Sequence, residues 1–557
     1  MPTNTPRLGI PKPLGNEYFN RTKFNEILDT IDTGAAKDSD LTAHKAEGVS
    51  QGEVHGLRAT NGKLEYFDGI EWKTVSGGLP VGSVSSFTTT PGNAKATLTW
   101  TDPEDVILNS ATIAAWAGTK ILRKTGSYPV NEKDGVLVVD SGVRNQYTTS
   151  GFVDTGLTND TTYYYSAFPY TDEDIFDKKS DAQATPRAVQ IYGVKIDTTN
   201  SNPATALTYT DNAIGFTPAN GNNGAFSYGS WADKFPFNQI KPCVLKSNLT
   251  VNYYLNPNDY TKKLDGSVAD ITSGAAGDVM VEFPKLWWKL EKIGTDLYVR
   301  YADAQIDSSW KCLAHKRGVT DKDKVYLSAY MGTTISSKLR SLSGKTPTTT
   351  QTIGAFRTQA QANGAGFDQM AYYQLLMLQV LFVIMFKSRD SQAALGRGYV
   401  DGNTAAIATG GANTKGLFYG ETTGKFQNKF CGIEDFWGNS YYWVDGFYSD
   451  ASRNMLIGTQ NFNDTGSGYT NYGQGATADI GGYISDVQGG TETGFVIKAS
   501  AGSASTHYPD YGNLSASRLP CFGGYWPDAS YAGAFQLDVK YSAADSSSYI
   551  GGRLLAL

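Results

Sequence analysis

Alternating apolar and polar residues predict β-strands along most of the chain. Ala96, Leu98 and Trp100 share one face of such a strand, and the segments 120–124 and 163–168 predict two more. Turn-forming residues separate these segments at short intervals. That spacing is typical of an all-β sandwich of about 100 residues.

Further strands are predicted on both sides of this sandwich. An Asn-Gly pair at 61–62 and an Asp-Gly pair at 68–69 are type I′ turn signals, so they predict a three-stranded meander over 57–75. Apolar residues alternate again over 279–283 and 286–290. We expect these two segments to be half-buried strands.

Helical periodicity appears near the start of the chain. Phe24, Ile27, Leu28 and Ile31 recur at i, i+3, i+4 and i+7, which predicts a short amphipathic helix. A helix this short needs a packing partner in water. The stripe is open to two interpretations: packing on its own chain, or self-association and docking to a larger assembly.

A second helical segment is predicted over about 358–391. It carries the longest apolar run, from Tyr372 to Phe386. This run is shorter than the roughly 18 residues that a membrane span needs, and it contains Gln374 and Gln379. We therefore expect a buried helix and no membrane span.

Composition and charge favour a folded chain of several domains. Of 557 residues, 40% are hydrophobic and 18% are charged, which is enough apolar content for packed cores. The net charge of -6 and the lack of a basic cluster argue against nucleic-acid binding. The first residues contain no apolar signal-peptide core, so we expect no secretion signal.

Cysteine and histidine are too sparse to predict a metal site or a catalytic triad. Cys243, Cys312, Cys431 and Cys521 are far apart in the sequence, which predicts buried thiols and no disulfide framework. Cys312 and His315 have a CxxH spacing, but no second pair completes a tetrahedral site. We expect no metal and no cofactor.

The strongest candidates for catalysis are carboxylates in the segment FCGIEDFWGNSYYWVDGF. Glu434, Asp435 and Asp445 lie there, close to Trp437. Glycoside hydrolysis uses two carboxyl groups about 5–9 Å apart across a sugar-sized cleft. The sequence allows two interpretations: these are the acids of a glycan hydrolase, or they are structural groups beside a buried tryptophan cluster.

The sandwich segment 81–187 resembles a fibronectin type III domain. Trp100 on an early strand and the block GLTNDTTYYY at 156–165 carry this resemblance. Such domains usually act as spacers or adhesion modules, so the resemblance implies no chemistry here.

The C-terminal sequence resembles the C-type-lectin-like fold shared by formylglycine-generating enzymes and the variable tropism proteins of phage diversity-generating retroelements. It also resembles phage tail-tip and tail-fibre proteins that end in this fold. The residues that carry the resemblance are VYLSAY at 325–330, SLSGKTP at 341–347, GAFR at 354–357, GRG at 396–398, CGIEDFWGN at 431–439, WVDG at 443–446, GGYW at 523–526, AGAF at 532–535 and GGRL at 551–554.

Two functional features of these families are missing from this sequence. Formylglycine-generating enzymes work through a pair of reactive cysteines near the C-terminal end, where this chain has only Cys521. Calcium-dependent lectins use a Glu-Pro-Asn type loop, which this sequence lacks. The resemblance therefore implies neither sulfatase-activating chemistry nor calcium-dependent sugar binding. It implies a stable scaffold whose C-terminal loops present contact residues.

Together these features predict a multidomain, mostly β protein that ends in an α+β domain. The predicted divisions are an N-terminal arm and helix for attachment or oligomerisation at 1–50, a small β meander and linker at 51–80, the fibronectin type III-like β-sandwich at 81–187, a β-rich connecting region at 188–309 and the C-type-lectin-like domain at 310–557.

The closing stretch, Leu519 to Leu557, alternates small or apolar blocks with aromatic and hydroxyl-bearing residues. The blocks at 523–524, 532–534 and 551–554 predict buried backbone. The residues between them suit a recognition surface, because Tyr and Trp give large contact area at low ordering cost. The predicted receptor-binding residues are Tyr508, Tyr511, Tyr525, Trp526, Asp528, Ser530, Tyr531, Tyr541, Ser546, Ser547, Ser548 and Tyr549.

The resemblance and this surface predict a phage tail protein that is made in the host cytoplasm and built into the virion. Its C-terminal domain is expected to bind a host cell-surface receptor, either a glycan or a protein. The N-terminal arm is expected to contact other tail or baseplate proteins, and the resemblance implies a homotrimer. Two alternatives remain: a tail-associated glycan hydrolase, and a purely structural tail or capsid decoration protein.

Overall fold

The computed structural model describes residues 57–60, 63–67, 72–74, 79–108, 111–177, 179–221 and 223–557. These described residues are mostly β, with 39% in strands and 7% in helices, as the sequence predicts. It divides into two compact units, Met1–Val189 and Gln190–Leu557. The predicted helix with its stripe from Phe24 to Ile31 lies outside the described residues.

Two antiparallel sheets in the first unit share one core. The three-stranded sheet contains Phe152–Thr155, Lys95–Thr101 and Ser85–Gly92 in spatial order. The four-stranded sheet contains Ser180–Ala184, Tyr163–Thr171, Trp116–Thr125 and Val136–Ser141. Trp100 is 1% exposed in this core, and its Nε1 donates to Asp102 Oδ1 over 2.8 Å, which satisfies the buried indole.

Two smaller sheets complete the described part of this unit. Leu57–Thr60, Lys63–Phe67 and Trp72–Thr74 form a three-stranded antiparallel sheet. Val106–Leu108 and Ala111–Ala114 form a hairpin.

A seven-stranded sheet joins distant parts of the second unit. Its strands are, in spatial order, Asp259–Lys263, Val251–Asn256, Lys241–Leu245, Asp278–Pro284, Lys324–Ser328, Leu554–Ala556 and Phe367–Gln369. The strand Asp278–Pro284, from the predicted connecting region, pairs antiparallel with Lys324–Ser328, from the predicted C-terminal domain. Leu554–Ala556 pairs antiparallel with Lys324–Ser328 and with Phe367–Gln369. The structure thus joins 188–309 and 310–557, because strand pairing links residues that are far apart in the sequence.

Both faces of the central strand Asp278–Pro284 are buried. Val279 and Val281 point into the larger core of the unit, and Met280 points into a smaller core on the opposite face. The prediction of a half-buried strand at 279–283 is therefore wrong, because this central strand is covered on both sides. The strand Trp287–Ile293 alternates between buried and partly exposed residues, as predicted.

The remaining strands of the second unit form smaller sheets and one six-stranded sheet. The six-stranded sheet contains Ile480–Ile484, Tyr508–Leu514, Leu537–Tyr541, Leu519–Phe522, Tyr441–Trp443 and Ile550–Gly551. A four-stranded sheet contains Leu207–Asp211, Ile191–Asp197, Asp296–Ala302 and Trp287–Ile293, and a three-stranded sheet contains Phe447–Ser449, Asn454–Ile457 and Thr470–Gln474. Paired short strands are Lys316–Arg317 with Thr320–Asp321, Thr333–Ile335 with Lys338–Arg340, Lys429–Phe430 with Ile433–Glu434, and Asp486–Val487 with Ile497–Ala499.

Three α-helices lie in the described part of the second unit: α1 (Ile353–Gln361), α2 (Tyr372–Phe386) and α3 (Ser391–Leu395). The predicted continuous helical segment over 358–391 is wrong, because the strand Phe367–Gln369 separates α1 from α2. Gly364 and Gly366 precede that strand with φ values of +141° and +91°, which an α-helix does not accommodate.

Helix α2 passes through the core of the second unit. All of its residues are buried, which confirms the prediction of a buried helix. Its two glutamines have partners: Gln374 Nε2 donates to Ala314 O over 2.7 Å, and Gln379 Nε2 donates to Ala534 O over 3.0 Å. Within the ranges that the structure describes, no helix is long and apolar enough to cross a membrane.

Candidate functional site

The small-residue blocks of the closing stretch are buried, as predicted. Gly523 and Gly524 have φ values of +94° and +78°, in the left-handed region that favours glycine. A Cβ on Gly533 would lie 2.1 Å from Asp510 Oδ1, so only glycine fits there. Arg553 is 1% exposed and donates to two backbone carbonyl oxygens of the 434–435 segment. These blocks fix the path of the backbone between the aromatic residues.

Three tyrosines form a group at the surface, and we call Tyr483, Tyr511 and Tyr531 the tyrosine group. The ring centroids of Tyr511 and Tyr531 are 4.9 Å apart, and Tyr483 lies 5.8 Å from the first and 5.4 Å from the second. Tyr531 is 45% exposed. Ser530 Oγ lies 2.8 Å from Tyr483 Oη, which links the closing loop to the strand Ile480–Ile484.

Tyr483 is a member of the tyrosine group that was not predicted from the sequence. This residue pairs with Tyr511 across neighbouring antiparallel strands of the six-stranded sheet. Cross-strand partners have adjacent side chains, so the contact follows from the strand register. The one sequence signal at this position is an aromatic residue directly after Gly481 and Gly482.

A second aromatic group is packed more deeply, and it consists of Tyr525, Trp526, Tyr541 and Tyr549 around the buried Tyr441. The centroids of Tyr525 and Tyr549 are 4.5 Å apart, and those of Tyr525 and Trp526 are 5.1 Å apart. Tyr441 lies 5.6 Å from Tyr525 in a stacked arrangement and 6.3 Å from Tyr541. The three outer tyrosines are half-buried against the smaller core, so they contribute to packing as well as to surface.

Tyr508 does not belong to the surface. It is 2% exposed, and its ring packs 5.2 Å from Phe535 and 6.3 Å from Phe495. The prediction that Tyr508 contacts a receptor is therefore wrong. Tyr508 and Tyr511 stand three positions apart on one strand, and side chains at odd separations point to opposite faces.

The polar residues of the predicted surface differ in exposure. Ser546 and Ser548 are exposed, whereas Ser547 is half-buried. Asp528 is also half-buried, and its Oδ2 accepts from the backbone N–H of Tyr525 over 3.3 Å. Burial raises the pKa of Asp528 to about 6, against the opposing effect of neighbouring hydrogen-bond donors. Asp528 thus shapes the turn that carries the aromatic residues.

The three candidate catalytic acids lie beneath the surface. Glu434 and Asp435 are each 1% exposed and Asp445 is 0% exposed. Glu434 accepts from two backbone N–H groups over 2.6 and 2.7 Å, and Asp435 accepts from two side-chain amides over 2.6 and 2.8 Å. Asp445 forms a two-bond ion pair with Arg357 over 2.7 and 2.8 Å. Burial raises the pKa of each acid, and the hydrogen bonds oppose it. All three carboxyl groups are therefore shielded from solvent and hydrogen-bonded within the scaffold.

The four cysteines are free and buried, which confirms the prediction of buried thiols. Cys312 Sγ lies 3.4 Å from Asp321 Oδ2, and His315 is 0% exposed. Burial lowers the pKa of His315 to about 4. In the part of the chain that the structure describes, no group of three His, Cys, Asp or Glu side chains is placed to hold a metal ion.

Fold and site together define a mostly β protein whose second unit presents clustered tyrosines on a glycine-shaped frame. No family model matches the chain. No curated protein matches it. It is similar to a solved structure titled Major Tropism Determinant P3c Variant, with 13% sequence identity and a TM-score of 0.20 over 78% of this chain and 95% of that chain. A TM-score of this size does not define a shared fold.

Proposed function

We propose that this chain is a phage tail protein that binds a host cell-surface receptor through its closing stretch. The observation that carries the proposal is the tyrosine group, in which Tyr531 is 45% exposed and has two further tyrosine rings within 5.4 Å. The sequence resemblance to variable tropism proteins and to tail-fibre proteins supplies the biological setting. Clustered tyrosines give large contact area with few rotatable bonds to order.

The loop that displays Tyr531 is held in place before any ligand binds. The backbone N–H of Tyr531 donates to Asp528 O over 2.9 Å, and that of Ala529 donates to Val400 O over 2.9 Å. Gln392 donates from Nε2 to two carbonyl oxygens of the same loop over 2.7 and 2.8 Å. A preorganised loop loses little conformational entropy on binding, which supports a recognition role for it.

Binding without turnover is part of the proposal. Glu434, Asp435 and Asp445 are the candidate acids of the hydrolase alternative, but each is buried and hydrogen-bonded in the scaffold. A purely structural decoration protein would not need an exposed, preorganised aromatic surface. The tyrosine group therefore favours the receptor-binding alternative over the structural one.

The remaining parts of the proposal concern assembly. The N-terminal arm attaches the protein to other tail or baseplate components, and the chain forms a homotrimer in the virion. Linked copies raise avidity by about 10²–10⁴ when the receptor geometry allows simultaneous contact. Light scattering of the full-length protein tests the trimer, and a monomer would refute it.

The receptor proposal is tested by adsorption of the purified full chain to a panel of bacterial strains. We expect at least one strain to bind it, and we expect Tyr531→Ala to weaken that binding by about tenfold, since an aromatic contact contributes up to about 1.5 kcal/mol. The melting temperature should be nearly unchanged, because the side chain is exposed.

Tyr298→Ala is the matched control, since Tyr298 is a half-buried tyrosine on the strand Asp296–Ala302 of a different sheet. This variant should bind cells as the wild type does. Equal adsorption of wild type and Tyr531→Ala would show that the tyrosine group is not the receptor site. Release of reducing ends from cell-surface glycan would instead favour the hydrolase.

A further inference from the structure

An open cleft of about 250 Å³ lies on the second unit, and its lining is partly polar and partly apolar. Asp390, Arg397, Thr422, Asp510 and Ser530 are among the residues that line it. Its volume lies below the roughly 300–1,000 Å³ of pockets for drug-sized ligands. A single small moiety, such as one sugar ring, suits a cleft of this size.

The cleft adjoins the tyrosine group. Ser530 lines the cleft, and its Oγ lies 2.8 Å from Tyr483 Oη. Tyr531 follows Ser530 directly in the chain, and its ring lies 5.4 Å from that of Tyr483 and 4.9 Å from that of Tyr511. A ligand in the cleft therefore has aromatic rings within reach.

The cleft lining matches a ligand that both donates and accepts hydrogen bonds. The Arg397 guanidinium only donates, whereas the hydroxyls of Thr422 and Ser530 donate and accept. Asp510 is only 1% exposed; burial raises its pKa well above its usual range, and the nearby Asp390 raises it further. An apolar ligand would remove these polar groups from water without offering them hydrogen bonds, which is costly.

A sugar ring satisfies both parts of this surface. Its hydroxyls pair with donors and acceptors, and its C–H face packs on aromatic rings. The position of the cleft wall is also fixed, because Arg397 Nε donates to Gln392 Oε1 over 3.1 Å while Gln392 holds the loop that carries Ser530. This preorganisation lowers the ordering cost of binding a small, weakly held ligand.

We propose that the cleft binds one sugar ring of a surface glycan while the tyrosine group contacts that ring or its neighbour. The inference rests on the proposed receptor-binding function and adds the chemical class of the receptor, a saccharide rather than a polypeptide. The contact residues are Ser530, Thr422 and Arg397 in the cleft, with Tyr531 and Tyr511 beside it.

The test applies the full chain to an array of bacterial surface polysaccharides and oligosaccharides. Thr422→Val and Ser530→Ala each remove one cleft hydroxyl, and Thr470→Val removes an exposed hydroxyl outside the cleft lining. We expect at least one saccharide to be bound. We expect an affinity loss of about fivefold to tenfold for each cleft variant, as for one lost hydrogen bond, and no loss for Thr470→Val.

The same chain is applied to strains that adsorb it, after treatment of the cells with periodate, which cleaves vicinal diols of sugars, or with protease. Loss of binding after periodate supports the inference. Binding that survives periodate, is lost after protease and has no counterpart on the array overturns the inference and leaves receptor binding intact. Saccharide binding that is indifferent to both cleft variants overturns the assignment to the cleft. Adsorption to no strain and no saccharide overturns the proposed function as well.

Discussion

Replacing Gly533 with alanine is expected to destabilise the second unit strongly. A Cβ there would lie 2.1 Å from Asp510 Oδ1 and 2.3 Å from Cγ and Oδ2 of the same residue, whereas ordinary contacts lie at 3.4–4 Å. Asp510 is 1% exposed, and its Oδ2 accepts hydrogen bonds from Ser391 Oγ and from the backbone N–H of Phe535, both over 2.8 Å. The new methyl group must displace this carboxyl and break both bonds.

The expected loss is about 3–5 kcal/mol of unfolding free energy, since overpacking costs about 1–3 kcal/mol and each buried polar group left unpaired costs a similar amount. Urea denaturation followed by tryptophan fluorescence measures it. Gly354→Ala in α1 is the matched control, because a Cβ there meets its nearest neighbour only at 3.4 Å. Alanine at this helical position should stabilise by up to about 1 kcal/mol.

Two results would refute this reasoning about Gly533. The first is a Gly533→Ala variant as stable as the wild type. The second is that Gly533→Ala lowers the free energy of unfolding as much in an Asp510→Ala variant, where the clashing carboxyl is absent, as it does in the wild type. If the clash is the cause, Gly533→Ala lowers the free energy of unfolding less in the Asp510→Ala variant than in the wild type.

Two further predictions concern buried acids. Burial raises the pKa of Asp528 to about 6, so its contribution to stability is present below about pH 4 and is lost as the pH rises through about 6. Asp528→Asn should therefore become more stable relative to wild type by up to about 3 kcal/mol between pH 4 and 7, as measured by unfolding at each pH; a flat difference contradicts this. Arg357→Met leaves Asp445 buried without its ion-pair partner and should cost about 3–5 kcal/mol in urea denaturation, and a loss below 1 kcal/mol would show that the pair is dispensable.

Features that depend only on residues close together in the sequence were predictable. The apolar run of α2 has no polar face, so burial on all sides follows directly from the residues. The blocks at 523–524 and 532–534 consist of glycine and alanine, which are often fully buried, and they are buried as expected. Local composition was sufficient in both cases.

Features that depend on strand pairing were not predictable. Tyr508 and Tyr511 lie in the same stretch of sequence, and the residues around them do not distinguish one from the other. The strand geometry buries the first and partly exposes the second. Tyr483 joins the site only because its strand pairs with the strand of Tyr511. Likewise, the pairing of Leu554–Ala556 with Lys324–Ser328 joins segments that no local pattern connects.

The closing stretch contains both buried residues that anchor it and exposed residues between them, because its two ends are fixed in different sheets. It begins in the six-stranded sheet at Leu519–Phe522 and ends in the seven-stranded sheet at Leu554–Ala556. Both anchors are fully buried, and so are the first three residues of the strand Leu537–Tyr541 between them. The free energy that holds the stretch therefore comes from its ends, this strand and the small-residue blocks. Exposed positions between them, such as Ser546 and Ser548, contribute little to stability, and substitutions there should change it by no more than about 0.5 kcal/mol. A surface anchored in this way can change its exposed residues without losing the fold that presents them.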